Sequence, residues 1–300
     1  MGLWRGPVGT ACTAKQAGTA PTKVARCILA VRREPKMEIP DYDFKDELTK
    51  CDGRIMEYLN HDIIEGIPSG IFQAQRPYPW INIQNTLTQE GFERLRGTLP
   101  DISLFERQVG IKRAYGQGSH DRYLLHYQPG LGLAEPWRDF VAELYGETYL
   151  SFLHRMFGPQ AGKRFILTLE WYFAWQGCAV SPHCDARRKL ATHIFYFNTD
   201  ADWDTSWGGH ILILNDGGRF KPHSAPAFDD LKIGAEIDPR GNGSLLFQRT
   251  DHSWHGVRPL QPPPGSLRKL FIVTINVPTL QVWWRRVRGK DPDGYPFKAN

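Results

Sequence analysis

Residues 181–198 read Ser-Pro-His-Cys-Asp-Ala-Arg-Arg-Lys-Leu-Ala-Thr-His-Ile-Phe-Tyr-Phe-Asn, and this stretch decides the fold. Its second half, 190–198, is rich in β-branched and aromatic residues and ends in asparagine, the composition of a strand. Its first half carries His183 and Asp185 two positions apart. On an extended chain residues i and i+2 project to one side, so these two can face one ion while Cys184 faces away. A His-x-Asp tripeptide alone is a weak signal. Its surroundings give it weight.

Working outward, similar apolar runs occupy 164–175, 210–214, 244–247 and 267–277, separated by Gly, Asp, Asn and Pro. The 29 Gly and 22 Pro of the 300 residues, with 12% aromatics, suit a turn-rich β architecture better than a helical bundle. Upstream the period changes. Thr88 precedes Gln89 and Glu90, a helix-start signature. Residues 136–157 space Trp137, Phe140, Val141, Leu144, Tyr149, Phe152, Leu153 and Phe157 at three- and four-residue steps. That spacing predicts one helix whose broad apolar face packs along a sheet. The expected class is therefore mainly β with flanking helices, a two-sheet sandwich backed on one side.

Four regions follow. Residues 1–40 read as a disordered or processed N-terminal extension, and 41–160 as a mixed, largely helical part packing on the sheet. Residues 161–280 form the strand core, and 281–300 a basic C-terminal tail. The formal charge of +5 belongs mostly to the first region, where residues 1–36 hold seven Lys or Arg and one acid, Glu34. The rest is close to neutral, which argues against a nucleic-acid partner. Met37 is a candidate natural start within a segment whose acid-poor composition would also suit a transit peptide. No apolar run reaches the roughly 18 residues of a membrane span, and a cytoplasmic protein is the expectation. Five scattered cysteines without a CxxC pair argue against a disulfide framework and a structural zinc site.

An imidazole and a carboxylate at this spacing, joined by a second imidazole, make a two-His-one-carboxylate facial triad. It covers one face of an octahedron and leaves positions for other ligands. The second imidazole is His252 or His255, both in His252-Ser253-Trp254-His255-Gly256-Val257-Arg258-Pro259.

The order of motifs is informative. His183-Cys184-Asp185 is followed by a strand closing on Tyr196-Phe197-Asn198, then Gly208-Gly209 before a strand, then His255-Gly256-Val257-Arg258-Pro259, then Arg268 opening another strand. This succession resembles the 2-oxoglutarate/iron(II) dioxygenases, within them the prolyl-4-hydroxylase-like branch, over roughly residues 165–280. The resemblance implies a double-stranded β-helix, the cupin-like jelly roll. It implies His183 and Asp185 as proximal metal ligands and His255 as the distal one. Arg268 matches the residue that holds the far carboxylate of 2-oxoglutarate, and Tyr196 a tyrosine that donates to the same group. Tyr172 is a further candidate there. Arg187, Arg188 and Lys189 become candidates for an acidic substrate group, with Trp207 and His252 beside the site.

The implied cofactors are Fe(II), 2-oxoglutarate and dioxygen, with ascorbate as reductant. The implied reaction is hydroxylation or desaturation of a small-molecule or peptidyl substrate, because the ligand Asp185 is intact where related halogenases carry a small residue. The absence of an evident charged docking surface favours a small molecule. Two other classes stay open at this stage: a catalytically silent metal or 2-oxoglutarate-binding scaffold, and a cupin-type metalloenzyme needing no 2-oxoglutarate. Arg268 separates the last from the first reading.

Overall fold

A computed structural model describes residues 57–158 and 165–277, with residues 280, 284, 287 and 288 beyond them. The expected N-terminal extension and nearly all of the basic tail lie outside the described residues. Among the described residues, eleven strands and five α-helices have defined bounds. In chain order they are α1 (His61–Gly66), α2 (Ser69–Ala74), β1 (Trp80–Gln84), α3 (Gln89–Gly97), β2 (Glu106–Gln108), β3 (Arg122–His126), α4 (Glu135–Leu144) and α5 (Glu147–Phe157). Eight strands follow without another α-helix: β4 (Ile166–Ala174), β5 (Val180–His183), β6 (Lys189–Tyr196), β7 (Ile211–Asn215), β8 (Lys232–Ile237), β9 (Gly243–Gln248), β10 (Trp254–Val257) and β11 (Arg268–Asn276).

A seven-stranded sheet runs β1-β9-β6-β11-β4-β3-β2, and a four-stranded sheet runs β5-β10-β7-β8. From β4 to β11 the chain crosses between sheets at every step except β7 to β8. That alternation, with antiparallel pairing throughout, is the double-stranded β-helix, a jelly roll. The expected fold class is the observed one.

Side-chain alternation divides the large sheet cleanly. Leu169, Trp171, Phe195, Phe271 and Val273 face the helices and share a core with Trp137, Phe140, Tyr149 and Phe152. The Trp137 and Trp171 rings meet edge to face at 5.0 Å, a favoured aromatic geometry. Tyr172, Ile194, Tyr196, Phe247 and Leu270 face the other way, and pack with Ile211, Ile213, Ile237 and Val257 of the small sheet. The candidate site lies within this inter-sheet layer.

Two differences from the sequence reading are instructive. The single helix expected over 136–157 is two, because the chain turns at Tyr145–Gly146. Gly146 caps the second helix, and a Cβ there would lie 2.9 Å from the Glu143 carbonyl oxygen. The upstream region also contributes three strands to the large sheet besides its helices. Thr88 behaves as its spacing predicted: its hydroxyl accepts from the Gly91 amide at 3.0 Å and starts α3.

Candidate metal centre and adjoining cavity

His183 ends β5 and His255 lies on β10, and the antiparallel register sets them directly opposite one another. Their rings are 4.3 Å apart. Asp185 follows just past the strand end, with Oδ1 4.0 Å from His183 Nε2. One donor atom from each of the three lies within 4.8 Å of the others, and all three residues are buried. Cys184 turns away and packs with Leu214 and Trp254.

The backbone prepares both imidazoles in the same way. His183 Nδ1 faces the Ser181 carbonyl at 3.0 Å, and His255 Nδ1 faces the Ser253 carbonyl at 3.0 Å. A carbonyl can only accept, so each Nδ1 carries the proton and each Nε2 keeps its lone pair for a metal. Burial pushes both histidines below the ordinary imidazole range, their mutual repulsion adding to the shift at His183. At Asp185 burial works against ionisation. Lys189, His255, His183 and the Thr192 hydroxyl outweigh it and hold the carboxyl below its usual value. Lys189 Nζ donates to Oδ1 at 3.2 Å and Thr192 Oγ1 to Oδ2 at 2.7 Å. Two neutral imidazoles and a carboxylate are the protonation states a divalent metal requires.

Gly256 has a physical reason to follow His255. A Cβ there would sit 2.8 Å from the Val180 carbonyl and 3.0 Å from the Phe228 ring. Glycine therefore lets β10 lie close to β5, the approach that opposes the two histidines. Tyr78 adds a tie by donating its hydroxyl to the Trp254 carbonyl at 2.8 Å.

Across the cavity, Arg268 is 2% exposed. Register places Tyr172, Leu270 and Tyr196 abreast on β4, β11 and β6, and Arg268 is two residues along β11 on the same face. Burial pulls its pKa down, while the two phenols, Tyr196 and Tyr172, oppose that shift. Its Nε and Nη2 and the Tyr196 hydroxyl are buried with no hydrogen-bond partner. Buried donors left unmet cost roughly 1–3 kcal/mol each, and more when charged. Such a cluster fits a site shaped for an anion. Gly209, at φ +92°, makes room for it: a Cβ would lie 3.0 Å from Arg268 Cδ. Asn198 holds the backbone on both sides, donating to the Leu267 carbonyl at 2.9 Å and accepting from the Lys269 amide at 2.6 Å.

A cavity of about 250 Å³ joins these parts, lined by His183, Asp185 and His255 together with Arg268, Tyr172, Arg188 and Lys189. Four residues suggested by sequence are not in that lining: Tyr196, buried in the inter-sheet layer, and three that lie elsewhere. Arg187 points to solvent beside Asp251 at 3.9 Å. Trp207 packs edge to face on Trp203 at 5.6 Å. His252 is half exposed and its Nδ1 meets Asp216 Oδ2 at 2.9 Å, so of the two candidate imidazoles only His255 converges with His183 and Asp185. The cavity also includes residues that sequence reasoning left unassigned: Arg113, His120, Arg122 and Glu170. Of these, Arg122 opens the five-residue β3 and Arg113 and His120 lie in the loop before it, so no periodic signal marks them.

The fold and the converging donors define a double-stranded β-helix with a candidate mononuclear metal centre between its sheets. Residues 167–275 match the profile of the 2OG-Fe(II) oxygenase superfamily. The match spans β4 to β11, somewhat over a third of the chain, and takes in His183, Asp185, His255 and Arg268.

No curated protein sequence matches the chain. Among solved structures it is similar to a Pseudomonas putida prolyl-4-hydroxylase, at 13% identity and TM-score 0.49, over 70% of this chain and 98% of that one. A Trichoplax adhaerens prolyl hydroxylase bound to a hypoxia-inducible-factor peptide fragment matches at 16% identity and TM-score 0.48, over 69% and 88% of the two chains. A carbocyclase from nogalamycin biosynthesis matches at 11% identity and TM-score 0.48, over 79% and 96%. Identities this low carry no substrate from one protein to another. Among the described residues no helix is long and apolar enough to cross a membrane.

Proposed function

We propose that this oxygenase hydroxylates an unactivated C–H bond of a small molecule, releasing succinate and carbon dioxide, with Fe(II) held by His183, Asp185 and His255. The observation that carries the reading is the pairing of two features in one cavity: three converging donors and, across from them, a buried arginine with unmet donors beside an unmet phenol.

A nitrogen–nitrogen–carboxylate set suits Fe(II) and leaves coordination positions open. When bound, the iron and 2-oxoglutarate supply dioxygen activation coupled to oxidative decarboxylation. The chain's own residues do the rest. Arg268 offers a planar fork to the far carboxylate of 2-oxoglutarate, with Tyr196 donating a further hydrogen bond. Lys189 and Thr192 orient Asp185, and the carbonyls of Ser181 and Ser253 set the imidazole tautomers. The apolar inter-sheet layer excludes water from the reacting carbon. Gly209 leaves room for the Arg268 side chain, and Gly256 lets β10 lie close to β5.

The test is succinate formation from 2-oxoglutarate by purified protein with Fe(II) and ascorbate. The wild type is expected to form succinate in a metal-dependent manner and His183→Ala to lose it. Equal succinate from both would sink the proposal.

A further inference from the structure

His183 and His255 share one kind of support, a backbone carbonyl facing Nδ1. The strands that carry them do not. β10 is an inner strand of the small sheet, paired with β5 on one side and β7 on the other. The carbonyl facing His255 belongs to Ser253, which is fully buried. The Ser253 hydroxyl accepts from the Thr250 amide and donates to the Thr250 carbonyl, both at 3.0 Å, so that support is fixed within its own turn. β5 is an edge strand of four residues whose one sheet neighbour is β10, and its register slips between the His255 and Val257 pairings. An edge strand leaves a row of backbone groups outside the ladder, so the sheet alone fixes it weakly.

The brace for β5 comes from outside the sheet. His120, in the loop between β2 and β3, places Nε2 3.1 Å from the Ser181 hydroxyl. Ser181 is the residue whose carbonyl faces His183 Nδ1. The His120 ring also lies 4.8 Å from the His183 ring, tilted by 57°. One buried side chain thus touches the proximal ligand and the residue that orients it.

His120 is itself firmly mounted. Asp121 Oδ1 accepts from the Gly110 amide at 2.9 Å and closes the loop at its base. Arg122 Nη1 donates to the His120 carbonyl at 3.0 Å, and its guanidinium carbon lies 5.5 Å from the centre of the Tyr172 ring. Further along the loop, Gln117 Nε2 donates to the Ser224 carbonyl at 3.2 Å, and the Tyr115 and His223 rings stack at 4.8 Å. The His120-Asp121-Arg122 stretch therefore acts as a unit that aims one imidazole at β5.

We propose that His120 is a positioning residue for the metal centre: through Ser181 it holds the edge strand β5, and with it His183, opposite His255. The proposal rests on the oxygenase reading for the metal and adds to it a side chain 61 positions before Ser181. His255, whose support is local, is independent of His120.

The experiment uses the full chain loaded with Co(II) and 2-oxoglutarate. The paramagnetic ion moves the ligand imidazole N–H protons clear of the other proton signals, so His183 and His255 are read as two lines. Both should exchange slowly with solvent in the wild type, being buried and bonded to carbonyls. In His120→Ala one line should exchange at least about tenfold faster while the other stays within about twofold. Co(II) affinity should fall by roughly tenfold, the low end for an outer partner of a metal ligand. His120→Gln, which can still reach the Ser181 hydroxyl, should lie closer to the wild type than His120→Ala does. Ser181→Ala keeps the carbonyl and should reproduce the His120→Ala effect, and the double variant should lose little more than either alone.

The proposal is overturned if the two lines respond alike, as a general loosening of the fold would make them. Full additivity of His120→Ala and Ser181→Ala would also overturn it, as would a His120→Gln no better than His120→Ala. Should His120→Ala fail to fold, Ser181→Ala carries the test alone, and unchanged lines with unchanged Co(II) affinity in that variant contradict the proposal. Failure of the wild type to bind Co(II) would instead overturn the metal site and the oxygenase reading built on it.

Discussion

At the scale of single residues, the small side chains around the site explain more than the ligands do. His183 and Asp185 were legible because strand geometry puts i and i+2 on one side. The roles of Gly209, Gly256 and Asn198 were not, since each depends on an approach between segments distant in sequence. Gly209 is the sharpest case, combining a φ of +92° with a Cβ position 3.0 Å from Arg268. Gly209→Ala is expected to displace Arg268 and weaken 2-oxoglutarate binding by about tenfold or more, leaving metal affinity unchanged by calorimetry. Lys189 makes a different prediction. The sequence marked it as a substrate contact, yet its ammonium is 3.2 Å from Asp185 Oδ1. Lys189→Met removes the strongest influence holding that carboxyl below its usual pKa. Metal affinity should fall roughly 10- to 100-fold, and as pH is lowered the variant should release metal at a higher pH than the wild type.

At the scale of elements, long strands were readable and short ones were not. β4, β6 and β11 run eight or nine residues with strong β composition, whereas β2, β5 and β10 have three or four and hold too few side chains for a period to register. Two of those short strands carry His183 and His255. Elements are also tied by a fully buried polar chain that no motif announces. Tyr149 of α5 meets His193 Nδ1 at 2.9 Å, His193 Nε2 meets the Ser244 hydroxyl at 2.9 Å, and Ser244 meets Thr86 at 2.7 Å. Burial lowers the His193 pKa to about 3. The unfolded chain takes up this proton near pH 6.5, and the folded chain holds it off until about 3. The contribution to stability is therefore complete above pH 6.5 and is lost progressively as pH falls towards 3. Urea unfolding should show this as an extra slope of about 1.4 kcal/mol per pH unit between pH 6 and 4 in wild type relative to His193→Gln. Parallel pH profiles for the two proteins would contradict it.

At the scale of the whole molecule, the jelly roll brings residues from eight strands and two loops to one cavity. The strand succession from 164 to 277 was enough to expect two facing sheets, because each run is short, apolar and bounded by turn residues. It was not enough to find the far wall, where β3 delivers Arg122 and its preceding loop delivers Arg113. Sheet neighbours β3 and β4 are separated by two helices in the chain, so nothing local in the sequence relates Arg122 to His183. We propose that this single cavity holds a metal on His183, Asp185 and His255 and 2-oxoglutarate on Arg268. That proposal is tested most directly by calorimetric titration of 2-oxoglutarate into metal-loaded wild type and Arg268→Leu. Losing one partner of a buried charge pair costs about 2–5 kcal/mol, so affinity should fall by roughly 30-fold or more while metal binding stays intact. Equal affinity in the two proteins, or no 2-oxoglutarate binding by the wild type, would contradict the account.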